Sequence, residues 1–178
     1  MTVEQVNRLD QQSFISAFGA VYEASPWVAA EAWAARPFAG IAALHRAMSC
    51  VVERAPRDRQ EALICAHPDL VGEAARAGTL TRASASEQEA AGLGRLSPSE
   101  IADFDRFNRA YRERFGFPFV ICARENKKEA ILAGFARRLR NSRDEEVATA
   151  LAEIAKIAGF RLRDLVEPTG QDDLGPAQ

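Results

Sequence analysis

The chain has 178 residues and a mass of 19.5 kDa, enough for one domain to bury its own core. Twenty-three basic against 25 acidic residues leave a formal charge of −2, which excludes the basic footprint of a nucleic-acid binder and favours a small-molecule partner. No apolar run approaches the roughly 20 residues that span a bilayer. The opening MTVEQVNRLD lacks the basic and apolar segments of a signal peptide. Three cysteines, Cys50, Cys65 and Cys122, at no metal-ligand spacing read as reduced thiols, so a cytoplasmic protein without membrane association is expected.

Apolar residues three and four apart, each run preceded by a capping residue, recur along the chain. Asp10 is placed to cap a helix bearing Phe14, Phe18 and Val21, and Ser25-Pro26 opens a second with Trp27 and Trp33. A third spans about Gly40 to Arg54, breaks at Ala55-Pro56, and is followed by a short helix ending near Ala66, because Pro68 disfavours helical geometry at His67. From Asp69 to Ala83 periodicity is weak and two glycines intervene, so an irregular connection is expected. Ser84-Ala-Ser-Glu87 matches a capping box, as do Ser97-Pro-Ser-Glu100 and Ser142-Arg-Asp-Glu145. The second box opens a helix with Ile101, Phe104, Phe107 and Tyr111 on one side, closed by Gly116. Phe117 to Cys122 reads as a buried extended connector, and Asn126 as the cap of a helix with Ile131, Phe135 and Leu139. The third box opens the last helix, to about Leu165. These elements predict an all-α fold, a single compact domain of about seven to nine helices with one short extended connector. It covers residues 1–166, with a polar, mobile tail over 167–178.

Only two histidines are available for acid-base chemistry near neutral pH. His45 lies among Ile41, Leu44 and Met48 and reads as a half-buried helix histidine with a hydrogen-bond partner. His67, at a helix exit before proline, reads equally as a partner of the helix C-terminus or as a catalytic group. Glu87 has the position a capping box wants and also suits a cleft carboxylate. Arg161 falls within the apolar arc of Val147, Leu151, Ile154, Ala158 and Leu165; a guanidinium there either snorkels outward or meets an acidic partner or a ligand, and the ligand is favoured. The cluster Arg137-Arg138-Leu139-Arg140, followed by Asp144, Glu145 and Glu146, reads as a solvated face. Cys65 and His67 are too close in sequence to share a helical face, no HExxH or CxxC spacing supports zinc, and no glycine-rich loop suits a nucleotide.

Taken together, AHPDLVG at 66–72, SASEQEAAGL at 84–93, FGFPFVICAR at 115–124 and NSRDEEVATALAEIAKIAGFRL at 141–162 resemble the signatures of the 2-oxo-4-hydroxy-4-carboxy-5-ureidoimidazoline (OHCU) decarboxylases, in order from about Phe14 to Val166. The resemblance implies a cofactor-free helical enzyme, usually a homodimer, that converts the last unstable intermediate after urate oxidation into (S)-allantoin. It implies His67 as the catalytic acid and Glu87 as its partner carboxylate. Substrate contacts are implied at Pro68, at Ser84, Ala85, Ser86 and Gln88, along Phe119, Val120, Ile121, Cys122 and Ala123, and at Arg161. No metal is expected. The sequence as read ends Pro-Ala-Gln, so neither a peroxisomal signal nor a fused transthyretin-like hydrolase domain is expected. Two rivals are a non-catalytic helical binding or scaffold module, in which these residues are structural, and a hydrolase of 5-hydroxyisourate, for which no residue pattern speaks.

Overall fold

The structure, a computed structural model, describes residues 1–168. Ten α-helices follow in order: α1 (Val3–Arg8), α2 (Gln11–Phe18), α3 (Pro26–Ala32), α4 (Ile41–Arg54), α5 (Arg57–Cys65), α6 (Glu73–Arg76), α7 (Arg82–Ala90), α8 (Pro98–Phe115), α9 (Lys128–Arg138) and α10 (Arg143–Leu165). Single 3-10 turns sit at Trp33–Ala35 and Ala123–Glu125, and the described residues contain no strand. The all-α expectation holds. Every helix marked by the sequence is present, and α1 and α6 are additional. At 6 and 4 residues they are too short for a periodic stripe, and α6 interrupts the connection expected to be irregular.

Helix starts follow the chemistry of the orphan N–H groups. Asp10 accepts from Ser13 N at 2.7 Å, and the boxes at Ser97–Glu100 and Ser142–Glu145 both form. Two expected caps are corrected. Helix α7 begins one turn earlier, with Thr81 as its cap accepting from Ser84 N at 3.3 Å, so Ser84 lies inside the first turn and closes no box with Glu87. The amide of Asn126 donates to Cys122 O at 2.9 Å instead of capping α9, which starts after Lys127. Gly116 ends α8 in the left-handed region at φ 80°, as its placement required.

The chain divides into two compact units. Among the described residues, Met1–Leu63 with 155–168 forms the first, and Ile64–Ile154 the second. In the first, Phe14 packs on Phe18 and Phe38 with ring centroids 4.8 and 6.0 Å apart, among buried Val28, Leu44, Met48 and Leu162. His45 is half-buried with Nε2 2.8 Å from Ala155 O, as its helical setting suggested. The N–H of Glu167 donates to Met1 O at 2.8 Å, so residue 167 is tied down where a mobile tail was expected to begin; the rest of that expectation, from residue 169 on, lies outside the described residues.

In the second unit the connector 117–122 runs through an aromatic cluster: Phe119 stacks on Phe135 at 3.8 Å and meets the edge of Tyr111 at 5.2 Å. Lacking ladder partners, its buried backbone groups are satisfied by side chains. Arg138 Nη1 donates to Val120 O at 2.7 Å, and Cys122 N donates to Glu153 Oε2 at 2.8 Å. The solvated-face reading of 137–146 is thereby corrected: Arg137 and Arg140 are exposed, whereas Arg138 and Glu146 are buried and paired with each other.

Candidate functional site

His67 follows the end of α5, where its N–H still donates to Ile64 O at 3.1 Å and Pro68 prevents another turn. Its side chain is buried, 6% exposed. The next residues make an unusual turn. Val71 has φ 57°, a left-handed conformation that a β-branched residue adopts at a cost of order 1–3 kcal/mol. Such a conformation persists only where its surroundings impose it, and four side chains do so here. Gln88 Oε1 accepts from Val71 N at 3.0 Å and its Nε2 donates to Asp69 O at 3.4 Å. Arg76 Nη1 donates to Val71 O at 3.0 Å, and Asn108 Nδ2 donates to Leu70 O at 2.9 Å. Arg112 Nε meets both oxygens of the Asp69 carboxylate, at 2.9 and 3.1 Å.

Helix α7 supplies the second group of candidates. Capped by Thr81, it turns Ser84, Glu87 and Gln88 inward, all buried, while Ala85 and Ser86 face outward. Because Gln88 grips residues 69 and 71, its neighbour Glu87 and the His67 segment belong to one hydrogen-bonded assembly. The connector is tied to the same helix, for Lys127 Nζ donates to Ala90 O at 3.0 Å beyond its far end. Phe119, Val120, Ile121, Cys122 and Ala123 are all buried. Burial, and secondarily the charge of Glu125, pushes the Cys122 thiol up to about 11, so it is neutral at physiological pH and no nucleophile.

Pro68, half-buried, completes the candidates of the second unit. Arg161 belongs to the first unit and is buried there; the snorkelling alternative is excluded, and the sequence's open choice includes an acidic partner that the structure supplies. Its Nη1 donates to Glu23 Oε2 at 3.0 Å and to the carbonyls of Val21 and Ala20 at 3.3 and 3.5 Å. Glu23, in a non-helical segment, carried no periodic signal. A cavity of about 360 Å³ lies beside α7, lined by Val71, Leu80, Ala85, Gln88 and Leu93 among others. It includes neither His67 nor Glu87, so it is not the place where those two groups would meet a substrate.

Sequence reasoning passed over Asp69, Arg76, Asn108 and Arg112. Asn108 had a detectable signal: it falls in the stripe of Phe104, Tyr111 and Phe115 where an apolar residue is expected. Arg76 and Arg112, exposed and polar, looked like ordinary surface.

A sequence profile described as OHCU decarboxylase matches residues 7–163. The 2-oxo-4-hydroxy-4-carboxy-5-ureidoimidazoline decarboxylase of Haloferax volcanii is 47% identical over 164 residues, 92% of this chain and 95% of that protein. The enzyme of the same name from Amia calva is 42% identical over 167 residues, 94% of this chain and 95% of that protein. Among solved structures, the crystal structure of (S)-allantoin synthase superposes with a TM-score of 0.72 at 29% identity, covering 94% of this chain and 55% of that one. This chain therefore spans about half the length of that protein, and nearly all of the two decarboxylases. Matched over almost its whole described length, the chain belongs to the OHCU decarboxylase family.

Proposed function

We propose that the chain releases CO2 from 2-oxo-4-hydroxy-4-carboxy-5-ureidoimidazoline and delivers (S)-allantoin, with His67 as general acid and Glu87 as its partner carboxylate, all within a catalytic domain of residues 1–166. The observation that carries the residue assignment is the Gln88 bridge: it binds a buried histidine's segment to the helix that presents a buried glutamate.

The substrate's structure makes a cofactor unnecessary. Its carboxylate sits on a carbon that also bears a hydroxyl and adjoins the ring carbon–nitrogen double bond. As CO2 leaves, the bonding pair moves into a new carbon–carbon double bond and the ring nitrogen takes up the displaced electrons. Protonation of the ring nitrogen and of the ureido-bearing carbon, with loss of the hydroxyl proton, then gives allantoin. His67 and Glu87 engage the hydroxyl and the carboxylate-bearing carbon, and a proton from the His67 side sets the product's handedness. Pro68, residues 84–88 and the connector 119–123 hold the ring and ureido amides. Arg161 enters as a substrate-binding residue on the family resemblance. Positioned acid-base catalysis of this kind is worth about 10² to 10⁴-fold, sufficient for a substrate that also decays unaided.

The test uses intermediate freshly generated by urate oxidation. With the chain present, the circular dichroism of (S)-allantoin is expected to develop faster than spontaneous decay allows, and His67→Asn is expected to abolish the acceleration. A folded His67→Asn protein yielding one enantiomer at the wild-type rate would refute the assignment, and no acceleration by the wild type would favour a binding module. The proposal extends to a homodimer in the cytoplasm. All three cysteines are free, and no helix among the described residues is long and apolar enough to cross a membrane. Light scattering should return twice the 19.5 kDa of one chain.

A further inference from the structure

We propose that Asn108 and Arg112 are positioning residues of this reaction, which fix residues 69–71 and through them the His67 imidazole. The inference rests on the decarboxylase reading and adds to it two side chains that no substrate contact requires.

Four observations support it. Asn108 and Arg112 stand one turn apart on α8, and so share a helical face; both reach back, across 38 and 43 residues of sequence, to the same short stretch. Transmission from that stretch to His67 is short and stiff, because only Pro68 intervenes before Asp69 and its ring locks one of the backbone dihedrals. Val71, in the left-handed region, does not hold that conformation by its own preference. The turn therefore depends on the groups that grip it.

The fourth observation concerns Asn108 itself. It is 6% exposed, and its Oδ1 has no hydrogen-bond partner, while its Nδ2 serves Leu70 O. A leucine would continue the stripe of Phe104, Tyr111 and Phe115 and would remove the unsatisfied Oδ1, but it would also take away the donor to the buried Leu70 carbonyl. Apolar packing does not account for an amide there, whereas a donor aimed at the turn after His67 does. Arg112 makes the complementary case from the surface. It is 44% exposed, and an ion pair that open adds little to stability, so a loss of turnover on its removal cannot be ascribed to unfolding.

The experiment compares wild type, Asn108→Leu, Arg112→Met, Arg112→Lys and His67→Asn for kcat, KM, product enantiomer after correction for spontaneous decay, and thermal melting. Misplacement of a reacting group by about 1 Å costs on the order of 100-fold. Accordingly, Asn108→Leu is expected to lower kcat by about 10- to 100-fold and Arg112→Met by several-fold. KM should change by less than about 3-fold, enantiomeric purity should fall, and Arg112→Lys should recover part of the loss. Should Asn108→Leu not fold, Arg112→Met decides the question. Folded variants that retain wild-type kcat and a single enantiomer overturn the inference. If they do so while His67→Asn is inactive, the decarboxylase reading survives and only the positioning role falls; a wild type without activity removes both.

Discussion

Glu146 has no exposed surface and gathers three donors: Arg138 Nε at 2.6 Å, Asn141 Nδ2 at 2.8 Å and the hydroxyl of Tyr111. Burial raises the tyrosine hydroxyl above its ordinary range, so it remains a proton donor to the carboxylate. Arg138 in turn lies over the Phe119 ring, 4.4 Å from its centroid, and holds Val120 O. The buried pair thus braces the connector that the proposal gives to the substrate. Replacing Glu146 by Leu strands a buried guanidinium, and losses of about 3–5 kcal/mol follow when one partner of such a pair is removed. Urea titration of Glu146→Leu should show a loss of that size, and Arg138→Met added to it should restore part. A cost below about 1 kcal/mol for the single change would mean that Arg138 finds water or another acid. The sequence concealed this pair because Arg137 and Arg140, both exposed, flank the buried arginine and make the cluster look uniformly solvated.

At the scale of elements, most of the fold was legible because helix ends obey local chemistry. Asp10, Ser97, Ser142 and Gly116 all mark boundaries where their side chains or backbone freedom require. The failure at α7 is instructive. Thr81 and Ser84 are spaced so that each can cap with the third residue beyond it, and the glutamate at position 87 tips pattern matching toward the later one. The backbone begins the helix at Arg82 instead, which places Glu87 in the second turn, buried with Ser84 and Gln88. Thr81→Ala should therefore cost about 1 kcal/mol, the usual price of a lost cap, and should raise KM, since five of the proposed site residues, 84–88, ride on this helix. Thr81→Ser, which keeps the hydroxyl, should restore both. Thermal melts and substrate titrations check the pair; an unchanged melting temperature in the alanine variant would place the cap elsewhere.

At the scale of the whole molecule, the motifs single out His67, Glu87 and the connector as candidates, but not what holds the turn after His67. Arg76 reaches Val71 from five positions away, but the other three grips on residues 69–71 come from 17 to 43 positions away, and no local periodicity encodes a contact at such separation. Hydrogen bonds at one group and burial at two others give the protein a pH-dependent stability with a definite sign. Glu100, hydrogen-bonded by Lys128 and by Ser97, is lowered from 4.5 to about 2. Its contribution is present above about pH 4.5 and is lost as pH falls toward 2. Burial raises Cys122 from 9.0 to about 11 and Tyr22 from 10.0 to about 12. For these acids the folded state favours the protonated form, so the unfolded chain releases its proton first as pH rises. Stability from Cys122 is whole below pH 9 and drains away between 9 and 11, with Tyr22 following between 10 and 12. These groups should make the melting temperature fall below about pH 4.5 and again above about pH 9. Cys122→Ala isolates one contribution, because alanine has no proton to lose. Its melting temperature should decline less steeply than wild type between pH 9 and 11 while the acid limb is unaltered. Equal alkaline slopes in the two proteins would show that the Cys122 thiol ionises as readily folded as unfolded, and that the connector is open to water rather than sealed within the aromatic cluster.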